Sequence, residues 1–326
     1  MPQSMTHCHI DIKFTGDVLL PVATNSPDSP RDELSIFPSL IFDIRNNRQL
    51  MKAKFFLLAI TSITCMASYA GPVVVTANGS DTYGLFQKAF GARPEAPDCL
   101  HPDFGPHIRQ EADADLGKPV FVFYMHSQID GDSCDRARNE QRNLILTWPQ
   151  KNAYLGGEDG VTSTYRWKFR LDPDFKAQHT FTRLHFIQPN FEDHAPQPSW
   201  GLDVSIVNGV EMLMINYRDT HARKALISVP LRDYKGKWID AYERITYGHH
   251  GSYAITLTPM DGSKALTFSQ DDLDLWHDGT GYYRPNWGLY RAISDTWTDP
   301  TAAIVSRDEA VRYADFCVAK GRDDCR

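Results

Sequence analysis

Thr164-Tyr165-Arg166-Trp167-Lys168-Phe169-Arg170-Leu171 decides the class of this fold. Tyr165, Trp167, Phe169 and Leu171 fall on one side of an extended chain, and Arg166, Lys168 and Arg170 on the other. Strand side chains alternate with period two, so this stretch reads as a strand with one face in a core and one in water. Further strands are expected at 119–126, 180–188, 202–207, 211–217, 225–229, 238–247, 252–258, 287–293 and 311–318. Gly, Pro, Asn and Asp punctuate them, as in Val207-Asn208-Gly209 and Met260-Asp261-Gly262. Upstream, residues 80–91 predict one short helix, with Ser80 or Asp81 as its cap and Leu85, Phe86 and Phe90 at helical spacing. A Pro-rich connection over 92–106 follows. Many strands, one helix, no internal repeat and no linker indicate an all-β sandwich in a single domain.

That domain is expected to span 71–326. Met51 opens a segment with the form of a secretory signal: Lys52 and Lys54 precede an apolar run over 55–66, and Ser68-Tyr69-Ala70 supplies small residues for cleavage after Ala70. The run is short for a membrane span. Residues 1–50, rich in Ser, Pro, Asn and Asp, read as a leader outside the fold, or as the product of a start assigned too early. The formal net charge is −7. The first seventy residues hold six basic and six acidic side chains, so the remainder also carries −7. That balance argues against a nucleic-acid partner, and a polyanionic ligand would have to meet a local basic groove. Cys8 and Cys65 precede the predicted cleavage point, leaving Cys99, Cys134, Cys317 and Cys325. An even number in an exported chain suggests two disulfides. Cys317 and Cys325 are near enough in sequence to pair, which would leave Cys99 with Cys134, but three pairings are open.

Three β-type segments carry the chemistry: Arg138-Asn139-Glu140-Gln141-Arg142, Thr182-Arg183-Leu184-His185-Phe186-Ile187-Gln188, and Tyr283-Arg284-Pro285-Asn286-Trp287-Gly288-Leu289-Tyr290-Arg291. At strand alternation Arg138, Glu140 and Arg142 share a face, an arrangement that fixes guanidiniums for a carboxylate. Arg183 and His185 share a face with Phe181 and Ile187, with Gln188 on the other. Asn286, Gly288 and Tyr290 share a face, and Gly288 is expected to leave open space for a sugar beside the phenol. Taken singly, the first segment fits a structural ion-pair ladder, His185 a hydrogen-bonded core residue and Tyr290 an interface aromatic. Together they offer a charge neutraliser, a proton acceptor and a proton donor. Cleaving a polyuronate by β-elimination needs that set: a cation on the carboxylate to stabilise the enolate-like state, a base for the C5 proton and an acid for the departing O4.

The first segment resembles the R-(S/T/N)-E-L-R motif of the alginate-lyase superfamily of jelly-roll polysaccharide lyases. The second sits where that superfamily has Q-(I/V)-H, and Asn286-Trp287-Gly288-Leu289-Tyr290 resembles its K-x-G-x-Y. The glucuronan-lyase-like group is more similar still, through Phe121-Val122-Phe123-Tyr124-Met125-His126, Asp135-Arg136-Ala137-Arg138-Asn139-Glu140, Tyr165-Arg166-Trp167-Lys168-Phe169, Gly236-Lys237-Trp238 and 284–291. The resemblance runs from about Asp81 to the end of the chain. It implies a jelly roll with Arg138 on the substrate carboxylate, His185 as base or carboxylate partner, and Tyr290 as proton donor, either alone or with the role of base as well. Arg183 stands where the superfamily has Gln, and Asn286 where it often has Lys. Arg142, Arg183, Asn286, His126 and Gln188 are the candidate substrate contacts.

No cofactor is called for and no catalytic metal ligand is named. Asp130, Asp132 and Asp135 form an acidic cluster that could hold a structural Ca²⁺, although it lacks the Gly and Glu of an EF-hand loop. His249-His250 reads as a surface turn, and Asp271, Asp272 and Asp274 resemble only faintly the paired carboxylates of a glycosidase. The expectation is a secreted, monomeric lyase acting on an acidic polysaccharide, glucuronan before alginate. A glycan-binding jelly roll without chemistry, and a hydrolase on the same scaffold, are the alternatives.

Overall fold

The structure, a computed structural model, describes residues 71–127, 134, 140–190, 200–218, 223–292 and 307–326. In chain order the strands are β1 (Val73–Val75), β2 (Ile108–Asp113), β3 (Lys118–Met125), β4 (Glu140–Leu146), β5 (Thr162–Leu171), β6 (Thr182–Pro189) and β7 (Trp200–Val207). They continue as β8 (Val210–Arg218), β9 (Arg223–Pro230), β10 (Ile239–Thr246), β11 (Gly251–Pro259), β12 (Leu266–Leu273), β13 (Tyr283–Ala292) and β14 (Glu309–Lys320). Helix α1 (Thr82–Phe90) separates β1 from β2. The leader, the signal-like segment, the acidic cluster at Asp130, Asp132 and Asp135, and Arg138 lie outside the described residues. Everything described belongs to one compact unit, Cys65–Arg326.

Two antiparallel sheets form a β-jelly-roll sandwich. One runs β12-β11-β10-β5-β14-β3-β2, with β1 also paired to β14; the other runs β4-β13-β6-β7-β8-β9. The alternation at 164–171 is realised in β5. Tyr165, Trp167, Phe169 and Leu171 are fully buried between the sheets. On the opposite face Arg166 pairs with Asp240, Lys168 with Asp315, and Arg170 with Asp115. Trp200, Leu202, Trp287 and Leu289 face them from the second sheet. Helix α1 inserts Phe86 and Phe90 into the same core, with Phe86 at 4.5 Å from Phe121 and Phe90 stacked at 5.8 Å on Trp287, measured between ring centroids. Asp81 is the N-cap position, and Gly91, in the left-handed conformation at φ 80°, ends the helix.

Disulfides join Cys99 to Cys134 and Cys317 to Cys325. The strands that sequence reasoning passed over are informative. Strands β2 (Ile-Arg-Gln-Glu-Ala-Asp) and β12 (Leu-Thr-Phe-Ser-Gln-Asp-Asp-Leu) are the two ends of the larger sheet. An edge strand is bordered by a neighbour on one side only and tolerates charge as a guard against edge-to-edge pairing, so its apolar alternation is weak. Asp271 and Asp272 are exposed on β12, and Asp274 pairs with His249 at 3.0 Å in an exposed turn. Among the described residues, no helix is long and apolar enough to cross a membrane.

Candidate active site

The outer face of the smaller sheet collects what the three segments supply. Strand β13 pairs with β4 in regular register, setting Tyr290 opposite Arg142 and Gly288 opposite Leu144. On its other side β13 pairs with β6, where Tyr290 meets Arg183. Antiparallel partners point to the same face, so Arg142, Tyr290 and Arg183 stand in a row across three strands. The guanidinium carbons lie 5.5 Å (Arg142) and 5.0 Å (Arg183) from the Tyr290 ring centroid. Phe181 and Phe186 pack on the same ring at 5.1 and 6.1 Å. The phenol bonds to the Glu140 carboxylate; burial first, and then that bond, holds its pKa well above the tyrosine range, while Arg183 and Arg142 pull it down. The proton therefore stays on the phenol at neutral pH.

Carboxylates hold the flanking cations. Arg142 lies 3.7 Å from Glu95. Arg183 lies 4.0 Å from Asp203, whose other oxygen takes hydrogen bonds from Arg223 and from the Asn216 amide. Burial lowers the pKa of Arg223, and Arg183 is among the cations that reinforce this. Beyond Tyr290, Arg284 donates to Gln188 at 3.3 Å and lies over the Trp148 ring. Arg142, Arg183, Arg223 and Arg284 give this face four guanidiniums in a chain whose net charge is −7.

Three expectations are corrected. First, Arg183 and His185 do not share a face. The pairing of β6 with β7 steps from Arg183↔Asp203 to His185↔Leu202, a β-bulge, and β13 carries a matching irregularity between Trp287 and Tyr290. One inserted residue reverses the phase of everything beyond it. Leu184 and His185 therefore both turn inward, whereas Phe186 and Gln188 join Arg183 on the outer face. The His185 ring is fully buried, 5.0 Å from Trp287 and 4.4 Å from Trp167. Its Nδ1 donates to the Asn286 carbonyl at 2.8 Å, and Nε2 shares a proton with Glu243 of β10, in the opposite sheet, also at 2.8 Å. No substrate atom reaches a ring held in this way.

Second, Gly288 does not open space for a sugar. A Cβ there would sit 2.2 Å from the Asn143 carbonyl oxygen, and φ is +144°, so the glycine answers to close backbone approach and conformation. Third, Asn286 lies on the outer row but is fully buried, with its amide donating to the Arg284 carbonyl at 3.4 Å. It is not exposed to a glycan. His126 packs against His101, Phe104 and His107 as part of a second cluster.

Sequence reasoning missed Glu140 as the phenol's partner, although it lies inside the first motif, and Arg284, which lies inside the third. Glu95, Asp203, Arg223 and Glu243 gave no local signal beyond Asp203 being a charge in the apolar run Leu202-Asp203-Val204.

No protein-family model matches the chain, and no curated protein is similar to it. Among solved structures it is similar to the endo-β-1,4-glucuronan lyase of the fungus Trichoderma reesei, at 13% identity over 65% of this chain and 86% of that one, TM-score 0.45. It is also similar to the marine PL-14 alginate lyase from Aplysia kurodai, at 10% identity over 76% and 97%, TM-score 0.49. An alginate lyase from Pseudomonas aeruginosa matches at 14% identity over 69% and 96%, TM-score 0.41.

Proposed function

We propose that the protein is an exported polysaccharide lyase that cleaves a β-1,4-linked polyuronate by β-elimination, with glucuronan as first substrate and alginate as second. The observation that carries the reading is the protonated Tyr290 phenol set between Arg142 and Arg183 on one sheet face, with Glu140 bonded to it. The guanidiniums, joined by Arg138, neutralise the uronate carboxylate and so lower the barrier to losing the C5 proton. Tyr290 protonates O4 as it leaves. Because His185 is sealed in the core, the base is reassigned to Glu140, beside the phenol and on the same face, which suits removal and delivery of the proton from one side of the sugar. Gln188 and Arg284 extend the contact surface along the sheet. The preference for glucuronan rests on the resemblance of the sequence motifs.

Export follows from the signal-like residues 51–70, cleaved after Ala70, and is in keeping with two disulfides. N-terminal sequencing of exported protein should begin at Gly71; Met1 on exported, folded chain would refute it. The activity is tested by incubating the protein with a panel of polyuronates and following ultraviolet absorbance of the unsaturated product. Reducing ends without absorbance would identify a hydrolase, and retention on immobilised glycan with neither signal a binding module. Tyr290→Phe keeps the ring and removes the transferable proton, so turnover should fall about 10²–10⁴-fold with little change in affinity. Near-wild-type turnover in that variant would overturn the assignment of the acid.

A further inference from the structure

A second cluster of side chains lies where β2 begins and β3 ends. His107 immediately precedes β2 and His126 immediately follows β3. The antiparallel register sets Ile108 opposite Phe123, and the Tyr124 amide donates to the His107 carbonyl at 2.9 Å. The two histidines are thereby brought side by side. His101 comes from the preceding loop, two residues after Cys99, whose disulfide ties that loop to Cys134. The ligand nitrogens of His101, His107 and His126 all lie within 4.8 Å of one another.

We infer that His101, His107 and His126 form a binding site for a divalent transition metal of the zinc class. The first support is the tautomer of His107. Its ring is fully buried, and its Nδ1 lies 2.9 Å from Asp98 Oδ1. That oxygen also accepts from the His107 amide at 2.8 Å and from the Tyr83 hydroxyl at 3.0 Å, and the Tyr83 hydroxyl oxygen in turn accepts from the Ile108 amide. With an amide and a hydroxyl already donating to this oxygen, Nδ1 takes the donor role as well, and Nε2 is turned toward His126. A carboxylate fixing the far nitrogen is the usual outer partner of a metal-bound histidine.

The second support is spacing. His107 Nε2 and His126 Nδ1 are 3.2 Å apart and joined by a hydrogen bond in which His126 Nδ1 donates, so an ion would take the place of that proton, which His126 would release. Two nitrogens each about 2.05 Å from one tetrahedral ion stand about 3.3 Å apart, so this pair is already at chelating distance. His101 needs to close from at most 4.8 Å, a movement of about 1.5 Å for a loop side chain. A cavity of about 290 Å³, walled in part by Phe104, His126 and Asp308, lies on the His126 side of the cluster. Three imidazoles favour Zn²⁺, Cu²⁺ or Ni²⁺ over Ca²⁺ or Mg²⁺, which prefer oxygen. The bound ion would clip the loop after Cys99 to the end of β3.

The test uses the full chain, stripped with a chelator and titrated with Zn²⁺ by calorimetry, with Ca²⁺ as the negative control. His7, Cys8, His9, His249 and His250 are also ligand types, so the readout is a difference in stoichiometry. The wild type should take up one more equivalent of Zn²⁺ than the His101→Ala/His126→Ala variant, and only the wild type should melt several degrees higher at saturating Zn²⁺. Co²⁺ loaded into the wild type should give the visible bands of a tetrahedral nitrogen site, a readout independent of whether the variant folds. Equal stoichiometry in the two chains, or Co²⁺ spectra of an octahedral aqua ion, would overturn the site.

Discussion

Removing either member of the His185–Glu243 pair should unfold the protein more readily, and the size of the effect follows from where the pair lies. Both side chains are sealed between the sheets, on β6 and β10, with 0% and 1% of their surface exposed. His185→Ala strands a buried carboxylate and empties a ring-sized space between Trp167 and Trp287. Breaking a buried pair in this way typically costs about 3–5 kcal/mol. Glu243→Ala is milder, because the His185 ring keeps its Nδ1 bond to the Asn286 carbonyl; an unsatisfied Nε2 costs about 1–3 kcal/mol. The double variant should be less destabilised than the sum of the two, since neither partner is left buried without the other, with a coupling of about 2 kcal/mol. For a domain of this size about 4 kcal/mol corresponds to a melting temperature lowered by roughly 8–16 °C. Urea unfolding of the four chains, with unchanged denaturant slopes, measures all three quantities. Were His185 a solvent-facing base beside Arg183, His185→Ala would change stability by less than about 1 kcal/mol and show no coupling to Glu243. That result would refute the bulge in β6 and return His185 to the groove.

Gly288→Ala should destabilise by about 2–5 kcal/mol, from positive φ and collision with the Asn143 carbonyl. Gly281→Ala, with nothing within 4 Å, serves as control, and equal melting of the two would contradict the close approach. Glu309 carries a pKa raised by burial from 4.5 to about 7, despite Arg307 at 3.3 Å. Between those values the folded chain keeps a proton that the unfolded chain has lost, so stability should fall as pH rises from about 4.5 to 7. Glu309→Gln should flatten that slope and be more stable at pH 8 by up to about 3 kcal/mol, read from urea midpoints across pH. Opening the Cys99–Cys134 bridge, which closes 35 residues of sequence separation, should destabilise by about 4 kcal/mol, against about 2.5 kcal/mol for Cys317–Cys325, which closes 8. Equal losses from the two serine-pair variants would count against the chain-entropy account. Glu140→Gln should lower lyase turnover without loss of substrate affinity; unchanged turnover would remove it as the base.

The sequence by itself determined the features that depend on neighbours along the chain. The phase of Tyr165, Trp167, Phe169 and Leu171 fixed which side of β5 enters the core, because period-two geometry leaves no other choice for an extended chain. The helical spacing of Leu85, Phe86 and Phe90 marked α1, which Gly91 ends in the left-handed conformation, whereas Asp81 takes the N-cap position without a side-chain capping bond. The β-sandwich class, and Arg142, Arg183 and Tyr290 as groups of one surface, were legible for the same reason: each lies in a short strand whose alternation shows which residues travel together. Strands β2 and β12 were not legible, because an edge strand owes its pairing to one neighbour rather than to its own apolar pattern. The tertiary structure alone decided the rest. A bulge at Leu184 is a property of the pairing between β6 and β7, invisible in either strand, yet it turns His185 away from Arg183 and toward Glu243, 58 residues distant. Glu95, Asp203 and Arg223 reach the Tyr290 surface from separate strands and loops, and the register of β2 on β3 is what sets His107 against His126. Those meetings depend on which strands lie side by side, and that is settled by burying one face of each sheet against the other rather than by any local stretch of residues.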